Sequence, residues 1–94
     1  MIIAVDFDGT LCIEGKPNVE LIRSLIQHQA KGNQIILWTC REGKSLMDAV
    51  SFLRKYGFHP NCVNQNTPSA IRMMGHDSRK VYADVYLDDK NYRL

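Results

Sequence analysis

Asp6 and Asp8 stand two positions apart at the end of the apolar run Ile2-Ile3-Ala4-Val5. In a strand, residues two apart point to the same side. If the strand ends here, the two carboxylates converge on one point above the sheet edge, and Gly9 permits a sharp turn just beyond them. Crowded carboxylates are costly unless they hold a cation or share a proton. The spacing therefore asks for a metal ion and for chemistry.

The elements that must position this pair alternate along the chain. Ile2 to Val5 reads as a short strand covered on both faces. Asn18 caps a helix carrying Val19, Ile22, Leu25 and Ile26, which Gly32 closes. Ile35-Ile36-Leu37-Trp38 forms a second strand ending at Thr39, and Ser45 with Asp48 resembles a capping box opening a second helix. That helix carries Leu46, Ala49, Val50 and Leu53 and ends at Gly57. Cys62-Val63 supplies a brief third strand, and Thr67-Pro68 opens a short helix ended by Gly75. Val81 to Leu87 supplies the last strand, which ends at Asp88-Asp89. This alternation predicts one domain over residues 1–94, with a parallel sheet and helices on both faces. Ligands in such sheets sit at the carboxyl ends of the strands.

The remaining polar residues fall at those ends. Asp6 and Asp8 close the first strand, Thr39 closes the second, Lys80 precedes the last, and Asp88 with Asp89 close it. One hydroxyl, one ammonium and a set of carboxylates suit phosphoryl transfer. The paired acids hold Mg²⁺, which accepts few protein carboxylates and keeps several waters. Thr39 hydrogen-bonds a phosphoryl oxygen, and Lys80 neutralises charge on the phosphoryl group. Asp6 attacks phosphorus. Asp8 protonates the leaving oxygen and then activates water.

Asp6-Phe7-Asp8-Gly9-Thr10 resembles the first motif of the haloacid-dehalogenase (HAD) superfamily of phosphohydrolases. Leu37-Trp38-Thr39 resembles its second motif, Lys80 its third, and Tyr86-Leu87-Asp88-Asp89 its fourth, in the superfamily's order. The resemblance implies a three-layer α/β/α sandwich around a central parallel sheet, the HAD-like Rossmannoid fold. It implies Asp6 as nucleophile, Asp8 as general acid and base, and an aspartyl-phosphate intermediate. It also implies Mg²⁺ held by the Asp6 side chain, the Asp8 backbone carbonyl and Asp88, with Asp89 close by or acting through water. Roughly 10 residues span Asp8 to Pro17, enough for a flap and too few for a cap domain. A capless site is open, and takes either a large substrate or an oligomeric neighbour as lid. Trp38-Thr39-Cys40-Arg41-Glu42 and the segment from Tyr82 to Asp89 resemble small capless phosphatases found beside sugar and polysaccharide biosynthesis.

Each assignment has a plainer rival. Thr39 is an ordinary β-former, Asp88 and Asp89 suit a turn, and Arg79 or Lys90 could take the part given to Lys80. Asp84 lies within the last strand pattern and reads as structural. Arg41 is read as a surface residue or a contact to the substrate's phosphate or leaving group, and Asn64 and Asn66 as loop asparagines or cleft residues. Trp38, Tyr82, Tyr86 and Phe52 read as core, and His28, His59 and His76 show no ligand spacing. Two other classes use the same residue types: a phosphoacceptor module, and a non-catalytic phosphate- or metal-binding protein on the same fold. The net charge of +2 gives no argument for nucleic acid. Three cysteines without a C-x-x-C pair read as reduced thiols of a cytoplasmic protein. No leader and no apolar run of membrane-spanning length opens or crosses the chain, so no membrane partner is expected. The expected partner is a phosphorylated substrate, small or macromolecular, and a homo-oligomer is compatible with the open site.

Overall fold

The computed structural model describes residues 1–77 and 81–92. Its centre is a parallel sheet of four strands, β1 (Ile2–Val5), β4 (Gln34–Leu37), β5 (Cys62–Val63) and β6 (Val85–Leu87), in the order β5-β4-β1-β6. β1 lies between β4 and β6, with Val5 level with Leu37 on one side and with Leu87 on the other. The three strands that carry the acids and Thr39 thus end side by side. Continuous β-branched and leucine runs make β1 and β4 strands buried on both faces.

Three helices connect the strands: α1 (Val19–Ala30), α2 (Gly43–Lys55) and α3 (Pro68–Met74). Asn18 caps α1 by accepting from the Leu21 amide, as its position predicts. Leu21, Ile22 and Leu25 of α1 and Ala49 and Leu53 of α2 pack in one cluster with Ile3, Val5, Ile35 and Leu37. Both long helices therefore cover the same face of the sheet. Consecutive right-handed crossovers that advance in one direction place their helices together in this way. The alternate residues Ala4 and Ile36 face the opposite side, where they meet Cys62 and Val81.

Several sequence boundaries shift. α2 begins at Gly43, its N-cap is Glu42 with no side-chain cap bond, and Ser45 lies inside the helix. Asp48 instead pairs with Lys44 one turn before it at 3.2 Å, so the Ser45–Asp48 capping box does not form. The last strand contracts to Val85–Leu87, while Val81 is buried outside it. Asp84 caps the sheet edge, its carboxylate accepting from the Ile2 amide at 2.6 Å. That bond explains an acid within an apolar segment. Thr67 caps α3 with Pro68 in its first turn, and Gly75 ends it in the left-handed conformation. The loop after the first motif carries a small antiparallel hairpin, β2 (Cys12–Ile13) with β3 (Lys16–Pro17). This is the flap that the spacing allows. Cys12, Cys40 and Cys62 are all free thiols. No helix among the described residues is long and apolar enough to cross a membrane.

Candidate functional site at the carboxyl edge of the sheet

β1 delivers Asp6 to the sheet edge, and its amide donates to the Leu87 carbonyl of β6 at 2.9 Å. One carboxylate oxygen of Asp6 accepts from the Phe7 amide at 2.8 Å. Burial pushes the Asp6 carboxyl above its ordinary pKa; the Phe7 bond opposes that shift, and Asp8, Asp89 and Asp88 add to it as like charges. Three acids thus act on Asp6 from two loops that are far apart in sequence. This convergence is what the strand-end reading predicts.

Gly9 makes the approach close. Its φ is +76°, and a Cβ placed there would stand 3.1 Å from the Asp89 Cβ. The turn after Asp8 and the turn after β6 are therefore in contact, and a side chain at position 9 would require Asp89 to give by a few tenths of an ångström. Gly9→Ala is expected to cost about 1–2 kcal/mol from the left-handed backbone alone, and more from the crowded Asp89. Thermal unfolding checks this. The substitution should lower Tm by roughly 5 °C or more. An unchanged Tm would show that the two turns are not held together as described.

Thr39 leaves β4 beside Asp6. Its amide donates to Asn64 Oδ1 at 2.8 Å, and its hydroxyl accepts from the Arg41 amide at 3.2 Å. Asn64, in a left-handed conformation (φ 53°), therefore holds the Thr39 loop rather than lining the cleft. Asn66 is buried, donating to Asp77 at 2.8 Å and accepting from the Tyr82 amide at 2.6 Å, so it too is a loop brace. Asp88 is exposed and its Oδ1 accepts the amides of Lys90 and Asn91, which fixes the turn after β6. The turn reading of Asp88 is thereby met. Lys80 and its alternative Arg79 lie outside the described residues; Lys90 is exposed on the Asp88 turn.

Arg41 carries no local signature of its partner. It binds Asp8 through both ends, Nε to Oδ2 at 2.9 Å and Nη2 to Oδ1 at 2.8 Å. The bond to Arg41 holds the Asp8 carboxyl below its ordinary pKa. No local signal announces a pair separated by 33 positions. The only available hint was that Arg41 follows Thr39 at a strand end.

A cavity of about 430 Å³ opens at this edge, lined by Ala4, Val5, Asp6, Trp38, Thr39, Cys40, Tyr86, Leu87 and Asp88. Strand alternation explains its walls: Ala4, Trp38 and Tyr86 share the parity that faces away from α1 and α2. Trp38 is 39% exposed and Tyr86 45%, so neither is the core residue that its type suggests. Tyr82 is likewise exposed, while Phe52 packs edge-on against Phe7 with ring centroids 5.4 Å apart. The Tyr86 hydroxyl donates to the Val81 carbonyl at 2.5 Å and accepts from the Ala83 amide at 3.1 Å. The ring is thereby fixed as a rigid wall of the cavity.

Among the described residues, no three His, Cys, Asp or Glu side chains form a metal-binding group. The donor set still suits Mg²⁺. The two carboxylates and one carbonyl that the resemblance implies would leave positions for water, which Mg²⁺ retains. The like charges around Asp6 are what a divalent cation would relieve.

Fold and site together define an α/β protein with an acidic site at the carboxyl ends of a parallel sheet. A solved structure of a conserved protein from Bacteroides thetaiotaomicron is similar over almost the whole chain. The TM-score is 0.82 and the sequence identity 34%, over 97% of this chain and 77% of that one. The chain belongs to the family of that conserved protein. No protein-family model and no curated protein matches it.

Proposed function

We propose that this chain is a capless, Mg²⁺-dependent phosphatase of the HAD type, cleaving phosphomonoesters through an aspartyl-phosphate. The observation that carries this reading is the convergence of Asp8, Asp88 and Asp89 on the half-buried Asp6, with Thr39 on the neighbouring strand. The order of motifs along the chain supports it. In the proposed three-layer sandwich, a right-handed return from β5 to β6 behind β4 and β1 would set α3 opposite α1 and α2.

In this reading Asp6 Oδ attacks phosphorus, the ester oxygen leaves, and Asp8 gives it a proton. Asp8 then takes a proton from water, whose oxygen attacks the aspartyl-phosphate and frees Asp6. Thr39 holds a phosphoryl oxygen, and Lys80 supplies positive charge beside it. Asp6, Asp88 and the Asp8 carbonyl would hold Mg²⁺, with Asp89 nearby. When bound, the ion offsets the repulsion between Asp6 and phosphate. The open cavity beside Asp6, with Trp38 and Tyr86 as walls, gives a substrate access to the nucleophile, and the leaving group would lie toward Asp8. A sugar is one leaving group of suitable size, which would make a sugar phosphate the substrate, in keeping with the small phosphatases that the sequence resembles.

The test is phosphate release from a panel of esters that includes an aryl phosphate, with Mg²⁺ and with EDTA. The expected result is Mg²⁺-dependent release that EDTA removes. A folded protein that binds Mg²⁺ and releases no phosphate from any ester would favour a binding or phosphoacceptor role.

A further inference from the structure

The grip of Arg41 on Asp8 is at odds with the work assigned to Asp8. Both carboxylate oxygens are taken, at 2.8 and 2.9 Å, by one guanidinium. A carboxyl that gives a proton to the ester oxygen spends one of these oxygens on that proton, which loosens the bidentate grip of Arg41. One partner has to turn away when substrate arrives, and the surroundings say which. Arg41 is held from three other directions. Its Nη1 donates to the Ser45 carbonyl at 3.2 Å, and its guanidinium carbon lies 4.7 Å from the centroid of the buried Phe7 ring. Its own amide donates to Thr39 Oγ1. The Asp8 side chain is 58% exposed against 29% for Arg41, and Arg41 is its one ion-pair partner among the described residues. Asp8 is the partner free to rotate.

Once Asp8 turns to the ester oxygen, the two N–H donors that held it at 2.9 and 2.8 Å form a planar fork with no acceptor between them. Such a fork matches a carboxylate or a phosphoryl group. We propose that Arg41 is a specificity residue that exchanges Asp8 for a second anionic group on the substrate. The preferred substrates are then phosphomonoesters whose alcohol carries a carboxylate or another phosphoryl group close to the ester oxygen. This inference rests on the phosphatase reading and narrows its substrate class.

The experiment compares kcat and KM for ethyl phosphate, 2-phosphoglycolate and ethylene glycol bisphosphate, with an aryl phosphate alongside, in wild type, Arg41→Gln and Arg41→Lys. Wild type should favour at least one of the two anionic esters over ethyl phosphate by about tenfold or more in kcat/KM. The ester favoured identifies whether carboxylate or phosphoryl is the recognised group. Arg41→Gln should bring that preference close to one, chiefly through KM, and Arg41→Lys should keep only part of it because it lacks the fork. Arg41→Lys retains the charge, so it reports on the fork even if Arg41→Gln folds poorly. Turnover of ethyl or aryl phosphate with no anion preference, or a preference that survives both substitutions, overturns the assignment of Arg41 while leaving the phosphatase reading intact. No turnover of any ester overturns both.

Discussion

Asp6→Asn is expected to abolish phosphate release and, in the absence of Mg²⁺, to raise the thermal stability of the protein. The loss of activity follows from the loss of the attacking oxygen; removing a covalent nucleophile costs on the order of 10⁴-fold or more. The gain in stability follows from the environment of the carboxyl. Burial and the like charges of Asp8, Asp89 and Asp88 raise the folded-state pKa of Asp6 above its unfolded value. A carboxyl shifted this way favours the folded state when protonated and opposes it when ionised. Its contribution is therefore present below the unfolded pKa and is lost as pH rises through the folded one. At neutral pH the ionised group is a net cost, which the neutral amide removes. Asp6→Asn should unfold at a Tm higher by on the order of a few degrees. The difference should shrink as pH falls into the carboxyl range. Added Mg²⁺ should reverse the order, because the ion binds and stabilises the wild-type fold more than the variant. Differential scanning fluorimetry across pH, with and without Mg²⁺, reads all three effects. A variant less stable than wild type without the ion would show that Asp6 is a structural acid and not a strained site residue.

The parts of this fold that are plain in the sequence are those where local pattern and tertiary demand agree. Ile2–Val5 and Gln34–Leu37 are apolar and β-branched because both faces are covered, and α1 begins where Asn18 can cap it. The alternation of elements then requires Asp6, Thr39 and Asp88 to share one edge, because parallel strands point the same way. What the pattern does not carry is pairing across distance. The Ser45–Asp48 motif has the right letters for a cap, yet Gly43 extends the helix past it. Tyr86 alternates correctly with Leu87, but β6 is an edge strand, so its ring stays exposed and its hydroxyl is tied by the 81–83 loop. Asn64 and Asn66 are loop asparagines by type, and only the folded chain shows that one braces Thr39 and the other Tyr82. The Arg41–Asp8 pair is the extreme case, since neither residue has any local reason to find the other.

These long-range pairs share a consequence. Each holds a strand-end loop of the site without adding to the sheet itself. Asn64 fixes the main chain at Thr39, the Thr39 hydroxyl fixes the main chain at Arg41, and Arg41 fixes the Asp8 carboxyl. A site built on strand ends inherits the rigidity of the sheet, and this short relay carries it one turn further to an exposed carboxyl. Before substrate arrives this holds Asp8 at the edge of the site, and its exposed carboxyl is the member of the relay that is free to turn.

Asp8→Asn then separates the two duties of that carboxyl. An amide neither donates the required proton to the ester oxygen nor accepts one from water, and loss of general acid–base help costs about 10²–10⁴-fold. The first duty matters only when the leaving group is poor. An alkyl alcohol leaves as a costly alkoxide without a proton, whereas a nitrophenolate is stable enough to leave unaided. The deficit of Asp8→Asn should therefore be largest with alkyl phosphates and smaller with p-nitrophenyl phosphate in the first half of the reaction. The second duty does not depend on the leaving group. With p-nitrophenyl phosphate the variant should still form the aspartyl-phosphate and then stall, releasing a burst of nitrophenolate followed by slow turnover. Rapid-quench kinetics, with trapping of the phosphorylated protein, reads both steps. An equal deficit for alkyl and aryl esters with no burst would remove Asp8 from leaving-group protonation, and Arg41 would then be holding a carboxylate whose part is electrostatic.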